Sequence, residues 1–227
     1  CTRLAKALEA AGHSEQAALA ESLATSQRPL VAMFLESDQP PQTAPEVYLK
    51  LHLLSHRLVK PHGLDLTGMF GLLRNIAWTN EGAIDIEELP TRRLKARLAG
   101  RTLSVDCVDK FPKMTDYVVP TGIRIGDTAR VRLGAYLGEG TTVMHEGFVN
   151  FNAGTEGRCT VEAGLYITAG SKVTLLDDQG QEVNTVAARE LADQDDLLLR
   201  RNSQNGRIEC LTNKSAIALN EALHAHN

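Results

Sequence analysis

Two adjacent arginines followed by an amide and a hydroxyl are the residues of this chain best suited to bind a phosphate group. They form the run Arg200-Arg201-Asn202-Ser203. Planar guanidinium groups bind phosphate oxygens through two parallel hydrogen bonds, and the Asn and Ser side chains add further donors. The same run could equally be a solvated, charged loop, and the residue types alone leave both interpretations open.

Histidines and acidic residues give weaker signals for metal or substrate binding. Glu146 follows His145 near the middle of the chain, His62 lies in a Lys-Pro-His-Gly sequence, and His56 precedes it. His145 is the single histidine of the repeat region described below, which disfavours a zinc site built from several histidines. His56 and His62 could contact substrate carboxylates, although such residues more commonly occupy packing or surface positions.

The overall composition narrows the class of protein. The chain has 227 residues and a formal net charge of -4, which argues against bulk nucleic-acid binding because that function needs a basic face. The four cysteines form no Cys-x-x-Cys pair, so free thiols in the cytoplasm are the simplest expectation. No apolar run reaches the roughly 18 residues that suggest a membrane span. We therefore expect a cytoplasmic protein whose partners include neither nucleic acid nor membrane.

Aliphatic residues recur at every sixth position through the middle of the chain. Nine of ten such positions hold Val, Ile or Leu. From Ile125 to Ile167, the position four residues later is small in seven of eight cases. The sixth positions are Val119, Ile125, Val131, Leu137, Val143, Val149, Thr155, Val161, Ile167 and Val173. The accompanying positions are Ala129, Ala135, Thr141, Gly147, Ala153, Cys159, Leu165 and Ser171.

This six-residue period predicts a left-handed parallel β-helix. Each hexapeptide supplies one short strand and one corner, so three hexapeptides make a triangular coil of 18 residues. Aliphatic side chains point into the prism, small residues lie near its corners, and successive coils pair at about 4.8 Å. An ordinary amphipathic strand would show a period of two and a helix a period of 3.6. Irregular β structure is the remaining alternative.

The segment before the repeats is predicted to be helical at first and mixed α/β later. Leu4, Leu8, Leu19 and Leu23 lie among good helix formers. The segment Ser26–Pro45 contains four prolines, Pro45 included, and ends this pattern.

A second helix is predicted from about Pro45 to Val59, ended by Pro61 and Gly63. Its apolar stripe consists of Val47, Leu51, Leu54 and Leu58. Mixed helix and strand should follow from Leu64, with a strand over Leu103–Val108.

The period stops after Val173, where a small cap is predicted. We expect a turn at Asp177–Gly180, a short helix or cap over Arg189–Leu199 and a helical tail over Lys214–His226. The predicted domains are therefore an N-terminal α/β domain over 1–115, a β-helix over 116–175 and a C-terminal cap over 176–227.

Several motifs resemble the longer branch of the tetrahydrodipicolinate N-succinyltransferase family, from about Tyr48 to Asn227. They are Asp109-Lys-Phe-Pro-Lys-Met-Thr-Asp-Tyr-Val118, Arg130-Val-Arg-Leu-Gly134, Gly140-Thr-Thr-Val-Met-His-Glu-Gly-Phe-Val-Asn-Phe-Asn-Ala-Gly154, Val161-Glu-Ala-Gly-Leu-Tyr-Ile-Thr-Ala-Gly170, Leu199-Arg-Arg-Asn-Ser203 and Leu219-Asn-Glu-Ala-Leu-His-Ala225. The resemblance implies a homotrimeric acyltransferase of lysine and diaminopimelate biosynthesis. Such an enzyme moves a succinyl group from succinyl-coenzyme A to the amino group of tetrahydrodipicolinate.

The chain departs from the family at one place. Family members continue after the Thr-Glu-Gly segment with further glycine-rich coils, whereas here Gly157 runs directly into Arg158. The family's Glu-Gly-Arg motif, whose Glu is the proposed acyl acceptor, belongs to that stretch. We expect unobserved coils between 157 and 158. The triplet Glu156-Gly157-Arg158 imitates the motif, but its distance from Asn152 marks it as the upstream Thr-Glu-Gly, so no catalytic residue is assigned.

The resemblance also implies binding residues. The coenzyme site would include Glu162, Ala163, Gly170 and Arg200–Ser203. Glu146 matches a residue that can hold Mg²⁺ on the trimer axis, while a second metal carboxylate seen in some members would fall at Ala129. Two alternatives stay open: another hexapeptide-type coenzyme A-dependent N-acyltransferase, or a non-catalytic β-helix paralogue if the coils are truly absent.

Overall fold

The structure is a computed structural model that describes residues 1–27, 29–155, 157, 159–168, 170–191 and 194–212. The chain divides into two compact units, Cys1–Asp38 and Gln39–Asn227. Among the described residues, no helix is both long enough and apolar enough to cross a membrane. The helical tail predicted for Lys214–His226 lies outside the described residues.

The first unit contains two helices, α1 (Thr2–Ala10) and α2 (Ser14–Leu23), as the sequence predicts. The residues that become buried are alanines, namely Ala5, Ala17 and Ala20. Leu19 and Leu23 are exposed instead, so leucine positions did not identify the packed side of α2.

The second unit begins with helix α3 (Ala44–Ser55), which carries the predicted apolar stripe. The Thr43 hydroxyl accepts a hydrogen bond from the Glu46 backbone N–H at 3.4 Å and so satisfies one free donor of the first turn. Val47, Leu51 and Leu54 are completely buried.

This helix ends four residues earlier than predicted. Ser55 is its last residue, and Arg57 adopts a left-handed backbone with φ 61°. A left-handed residue cannot continue an α-helix, so the chain turns away and Leu58, the fourth residue of the predicted stripe, is 70% exposed.

The mixed α/β region predicted to follow is confirmed. It contains α4 (Met69–Leu72), β1 (Ile76–Thr79), β2 (Gly82–Asp85), α5 (Leu89–Leu98) and β3 (Val105–Asp109). The three strands form an antiparallel sheet in the order β2-β1-β3. The strand expected over Leu103–Val108 is displaced by one to two residues to the position of β3.

Short strands then follow whose last residues recur every six residues from β5 onward, with twelve residues between β4 and β5. They are β4 (Arg124–Ile125), β5 (Tyr136–Leu137), β6 (Thr142–Val143), β7 (Phe148–Val149), β8 (Gly154–Thr155), β9 (Cys159–Val161) and β10 (Tyr166–Ile167). Parallel pairs join β4 to β6, β6 to β9, β5 to β8 and β7 to β10. Arg124 pairs with Thr142, and Thr142 with Thr160. The pairing interval is therefore 18 residues, the length expected of three hexapeptides.

The sixth positions become the interior of these strands. Val131, Leu137 and Val143 are fully buried, and Val161 is almost so. Val119 is 70% exposed, so the inward series begins at Ile125 rather than at Val119.

Thr155 is the one polar residue among the sixth positions, and its buried hydroxyl has a hydrogen-bond partner. Its hydroxyl lies 2.6 Å from the Thr141 hydroxyl, which also donates to the Gly157 carbonyl oxygen at 3.2 Å. Both threonines are buried. A hydroxyl without a partner at this depth would be destabilising, and the pair avoids that cost.

Four longer strands close the described chain: β11 (Lys172–Leu176), β12 (Glu182–Ala187), β13 (Leu197–Arg201) and β14 (Ile208–Thr212). The predicted turn at Asp177–Gly180 is confirmed as the β11–β12 hairpin, where the Gly180 N–H donates to the Asp177 carbonyl at 2.9 Å. Of the short helix or cap expected over Arg189–Leu199, the helix is wrong, because this segment ends in the strand β13. A short 3-10 turn, Ala188–Leu191, leads into β13, which adds its leucines to the edge of β9 in parallel.

Most of the buried apolar residues of the second unit belong to two separate clusters. The upstream core joins α3 and the segment before the repeats to residues of the six-residue repeats as far as Val149. The downstream core begins at Cys159 and joins the last coil residues to the closing strands as far as Cys210. The boundary between the cores therefore falls between Val149 and Cys159, a stretch that includes Gly157.

Candidate functional site

The arginine run lies at the end of β13 and in the turn that leads to β14. Arg200 pairs across the hairpin with Glu209, and its Nε donates to the Glu209 carboxylate at 3.0 Å. The Asn202 side-chain amide donates to the other carboxylate oxygen at 2.5 Å. Glu209 is buried, and these two hydrogen bonds, Asn202 first and then Arg200, lower the pKa of its carboxyl group.

Arg201 has a different environment from its neighbour. Its guanidinium donates to the carbonyl oxygens of Gly164, at 3.2 Å, and Gly206, at 2.9 Å. A carbonyl oxygen orients the guanidinium without cancelling its charge, whereas Glu209 neutralises Arg200. Of the two arginines, Arg201 therefore keeps the positive charge that a bound anion would need.

The structure brings part of the predicted coenzyme site together. The Glu162 backbone N–H donates to the Leu199 carbonyl at 3.0 Å, so Glu162 and the exposed Ala163 lie beside β13 and its arginines. Ser203 is exposed in the turn after Asn202. Gly170 is exposed on a later corner, and a Cβ placed on it would meet nothing within 4 Å. That free space fits a corner position and gives no sign of a close backbone approach.

The Glu146 carboxylate contacts Arg130, an arginine 16 residues earlier in the chain. Glu146 occupies a corner with a left-handed backbone, φ 64°, and its carboxylate accepts a hydrogen bond from the Arg130 guanidinium. Arg130 also lies 3.8 Å from the Asp127 carboxylate. Within the described chain, no group of three His, Cys, Asp or Glu side chains could hold a metal ion. A single carboxylate already neutralised by arginine does not fit Mg²⁺, which binds several oxygen ligands.

The histidines singled out from the sequence occupy two different environments. His56 follows the last residue of α3 and stacks on His52, with ring centroids 5.8 Å apart. His62 forms two hydrogen bonds with Asn152, a residue that the sequence did not single out for function. The one available signal was the position of Asn152 in the Phe-Asn-Ala-Gly motif.

The two buried cysteines, Cys159 and Cys210, are unsuited to nucleophilic catalysis. All four cysteines of the chain are free thiols. Burial raises the pKa of Cys159, and it raises the pKa of Cys210 to about 11. Since the thiolate is the reactive form, these two thiols remain protonated and inert near neutral pH. Glu156 and Arg158 lie outside the described residues.

Comparisons with known proteins agree on one family. Residues 73–113 match the sequence model of the middle region of tetrahydrodipicolinate N-succinyltransferase. The 2,3,4,5-tetrahydropyridine-2,6-dicarboxylate N-succinyltransferase of Pseudomonas paraeruginosa is 56% identical over 270 aligned positions, covering 93% of this chain and 78% of the relative. The protein of the same name from Vibrio cholerae is 51% identical over 283 positions, covering 99% of this chain and 82% of the relative.

A solved structure is also similar. It comes from Campylobacter jejuni and is provisionally described as a 2,3,4,5-tetrahydropyridine-2-carboxylate N-succinyltransferase. It shares 27% sequence identity with this chain at a TM-score of 0.52, and the match covers 80% of this chain and 66% of that one.

The alignments include positions that this chain does not fill. The Pseudomonas match covers 93% of 227 residues, about 211 residues, yet spans 270 positions, which leaves about 59 positions without a residue here. The Vibrio match covers 99%, about 225 residues, and spans 283 positions, which leaves about 58. Relatives thus carry extra sequence inside the matched region, as expected if coils are missing between 157 and 158.

Proposed function

The chain belongs to the tetrahydrodipicolinate N-succinyltransferase family, and from that membership we propose how its residues serve succinyl transfer. The enzyme is an acyltransferase of lysine and diaminopimelate biosynthesis. The observation that carries this conclusion is the 51–56% identity to succinyltransferases across nearly the whole chain. In the reaction, the amine of the opened acceptor attacks the thioester carbonyl of succinyl-coenzyme A, the thiol leaves, and the nitrogen loses a proton.

The coenzyme site consists of Glu162, Ala163, Gly170, Arg200, Arg201, Asn202 and Ser203. Arg201 contacts a phosphate group of the coenzyme, since its carbonyl partners leave its charge uncompensated. Arg200 and Asn202 act mainly through Glu209, which holds the β13–β14 turn in shape. Ala163 and Gly170 line the path of the pantetheine arm. The proximity of Glu162 to β13 supports this grouping.

The domain arrangement and the association of three chains complete the coenzyme site. The chain forms a left-handed parallel β-helix over 116–175, flanked by an α/β domain over 1–115 and a cap over 176–227. Three such chains assemble in the cytoplasm as a homotrimer. The thioester binds between the β-helices of neighbouring chains. The 18-residue pairing interval supports the coil. Family membership supports the trimer.

Magnesium has no assigned step in this proposal. In one chain Glu146 is committed to Arg130, so an axial Mg²⁺ would require Glu146 from all three chains together. Carboxylate oxygens from three copies would supply the charge that a hard cation prefers only once Arg130 is displaced from each of them.

We assign no residue of this chain as the glutamate that would carry the succinyl group in a covalent intermediate. Direct attack by the amine and a covalent acyl-glutamate route both remain compatible with the chemistry. The roughly 58 unfilled alignment positions also favour one second candidate, a β-helix paralogue that lost its active coils and no longer catalyses.

A thiol-release assay tests the proposed function. Succinyl-coenzyme A and acetyl-coenzyme A are each supplied with and without tetrahydrodipicolinate, after an intact mass has shown whether the chain measures 24.7 kDa or several kilodaltons more. We expect release that requires the acceptor and prefers the succinyl thioester. Release with another amine would indicate a different N-acyltransferase. No release from a chain of 24.7 kDa would indicate the non-catalytic paralogue.

A further inference from the structure

Two histidines lie one helical turn apart at the end of α3. They are His52 and His56, in the sequence His-Leu-Leu-Ser-His. The His56 backbone N–H donates to the His52 carbonyl oxygen at 2.8 Å, so a helical hydrogen bond joins the two residues although α3 itself ends at Ser55. Residues four positions apart on a helix are neighbours on one face. The two imidazoles therefore project from the same side of α3.

The backbone at this end of α3 is fixed by polar contacts to later parts of the chain. The Ser55 hydroxyl donates to the Ala135 carbonyl oxygen at 3.0 Å. The Arg57 guanidinium donates to the carbonyl oxygens of Leu137, at 2.5 Å, and Thr121, at 2.8 Å. These contacts hold the backbone on both sides of the second histidine, so little backbone freedom has to be lost when a ligand binds both rings.

The two rings are already close to the spacing of a metal chelate. Their centroids are 5.8 Å apart and their planes differ by 23°. Two imidazoles bound to one tetrahedral ion through bonds of about 2.0–2.1 Å have centroids roughly 5.2 Å apart. The difference of about 0.6 Å lies within the reach of rotation about the side-chain torsions.

One ring of the pair is held by packing, and the other is accessible. The Tyr117 ring packs edge-on against His52, with centroids 5.7 Å apart and an interplanar angle of 84°. His52 is half-buried, whereas His56 is exposed. A dissolved ion can therefore reach the pair from the solvent side, where one of its two ligands is already oriented.

The type of ligand selects the class of ion. Neutral imidazole suits Zn²⁺, Ni²⁺ and Cu²⁺, whereas Mg²⁺ and Ca²⁺ prefer oxygen ligands. Histidines at positions i and i+4 of a helix have the spacing that helical zinc sites use. Among the described residues, no third His, Cys, Asp or Glu joins the two. Water would therefore fill the remaining coordination positions.

We propose that His52 and His56 form a binding site for a divalent late transition metal ion such as Zn²⁺ or Ni²⁺. The two imidazoles are its protein ligands, and the ion bridges the last turn of α3. This site differs from the Glu146 carboxylate in both its place in the chain and its ligand type. Because the ion binds the folded turn, it stabilises the end of α3 by mass action.

NMR of the full chain with isotope-labelled histidine tests the inference. Zn²⁺ and Mg²⁺ are titrated separately at about pH 7.5, where an ordinary imidazole is neutral. The ring signals of His52 and His56 are followed, and Zn²⁺ affinity is measured by competition with a chromophoric chelator. His52→Asn, His56→Asn and the double variant remove the ligands. His13→Asn is the matched control, because His13 is an exposed histidine at the start of another helix, α2.

We expect Zn²⁺ to shift the ring signals of His52 and His56 together, and Mg²⁺ to leave both unchanged. Each single variant should weaken Zn²⁺ binding about tenfold or more, because one imidazole lacks the effective concentration that a chelate provides. The double variant should bind little more weakly than either single variant, since the two ligands act as one unit. His13→Asn should leave Zn²⁺ affinity within about twofold.

A second variant separates a lost ligand from a disturbed fold. His56→Cys places a thiolate ligand at the same position and should restore most of the Zn²⁺ affinity that His56→Asn loses. Failure to restore it would count against coordination at this position. The inference is overturned if saturating Zn²⁺ leaves the ring signals of His52 and His56 unmoved. It is also overturned if the losses of the two single variants simply add in the double variant, as they would for independent surface histidines.

Discussion

The upstream and downstream cores are stabilised in different ways although the same six-residue repeat runs through both. The upstream core is filled by buried apolar side chains, most of them aliphatic, that pack on one another and on α3. The downstream core adds a buried carboxylate, Glu209, with Arg200 and Asn202 as hydrogen-bond partners. The first kind of packing follows from a repeating pattern, whereas the second depends on particular polar partners. Their boundary coincides with the place where relatives are expected to have further coils.

The largest effect should come from removing an inward side chain of the upstream core. Leu137 is fully buried, and Leu137→Ala should lower the free energy of unfolding by about 2–5 kcal/mol, measured by urea denaturation. Val119→Ala is the control, since Val119 continues the same series but is 70% exposed. Equal losses in the two variants would mean that the inward series is misplaced.

In the downstream core, Glu209→Gln should cost about 1.5–3 kcal/mol, because hydrogen bonds to a buried charge are lost. The effect should depend on pH. The pKa of Glu209 is lowered in the folded state, so its stabilisation is present above the unfolded-state pKa and disappears as the pH falls through the folded-state pKa.

The unmodified chain should therefore lose more stability on acidification than the Glu209→Gln variant. Denaturation midpoints of both proteins, measured across the acidic pH range, test the direction of this difference. Parallel curves for the two proteins would show that Glu209 does not carry the pH dependence.

At the boundary between the cores, Thr155→Val should cost about 1 kcal/mol, because the Thr141 hydroxyl loses a partner 2.6 Å away. The double variant Thr141→Val/Thr155→Val should be less destabilised than the sum of the single variants, since neither hydroxyl is then left behind. Strict additivity in a double-mutant cycle would argue against the pairing.

The smallest effect should come from a surface ion pair of the closing strands. Arg207 and Glu182 are both more than half exposed, so Arg207→Ala should change the free energy of unfolding by about 0.2–1 kcal/mol and less at high salt. A loss comparable with that of Leu137→Ala would contradict the contrast between buried and exposed partners.

The sequence predicted those features that repetition or local chemistry determines. The 18-residue interval, the buried stripe of α3 and the Asp177–Gly180 turn each depend on side-chain spacing or turn residues. The strand at Leu197–Arg201 was missed, because its leucines take a strand conformation only by adding to the edge of β9. The change of chain direction at Arg57 could likewise not be predicted from the spacing of apolar residues.

The site residues also differ in whether the sequence alone could identify them. The Arg200–Ser203 run could be found from residue type, but the partner that neutralises Arg200 lies nine residues away on another strand. The His62–Asn152 contact joins residues 90 positions apart and could not be anticipated from either neighbourhood. Contacts between distant polar residues require the fold, whereas a periodic core can be predicted from the sequence alone.

Disulfide trapping tests the stacked-coil account most directly. The rings of Phe148 and Tyr166 stack with centroids 4.7 Å apart on adjacent coils, whereas Tyr136 and Phe148 belong to different faces. Phe148→Cys/Tyr166→Cys and Tyr136→Cys/Phe148→Cys are oxidised and their linked peptides mapped by mass spectrometry. The account predicts a link between positions 148 and 166 and none between 136 and 148. A link in the second protein without one in the first would contradict stacking at an interval of 18 residues.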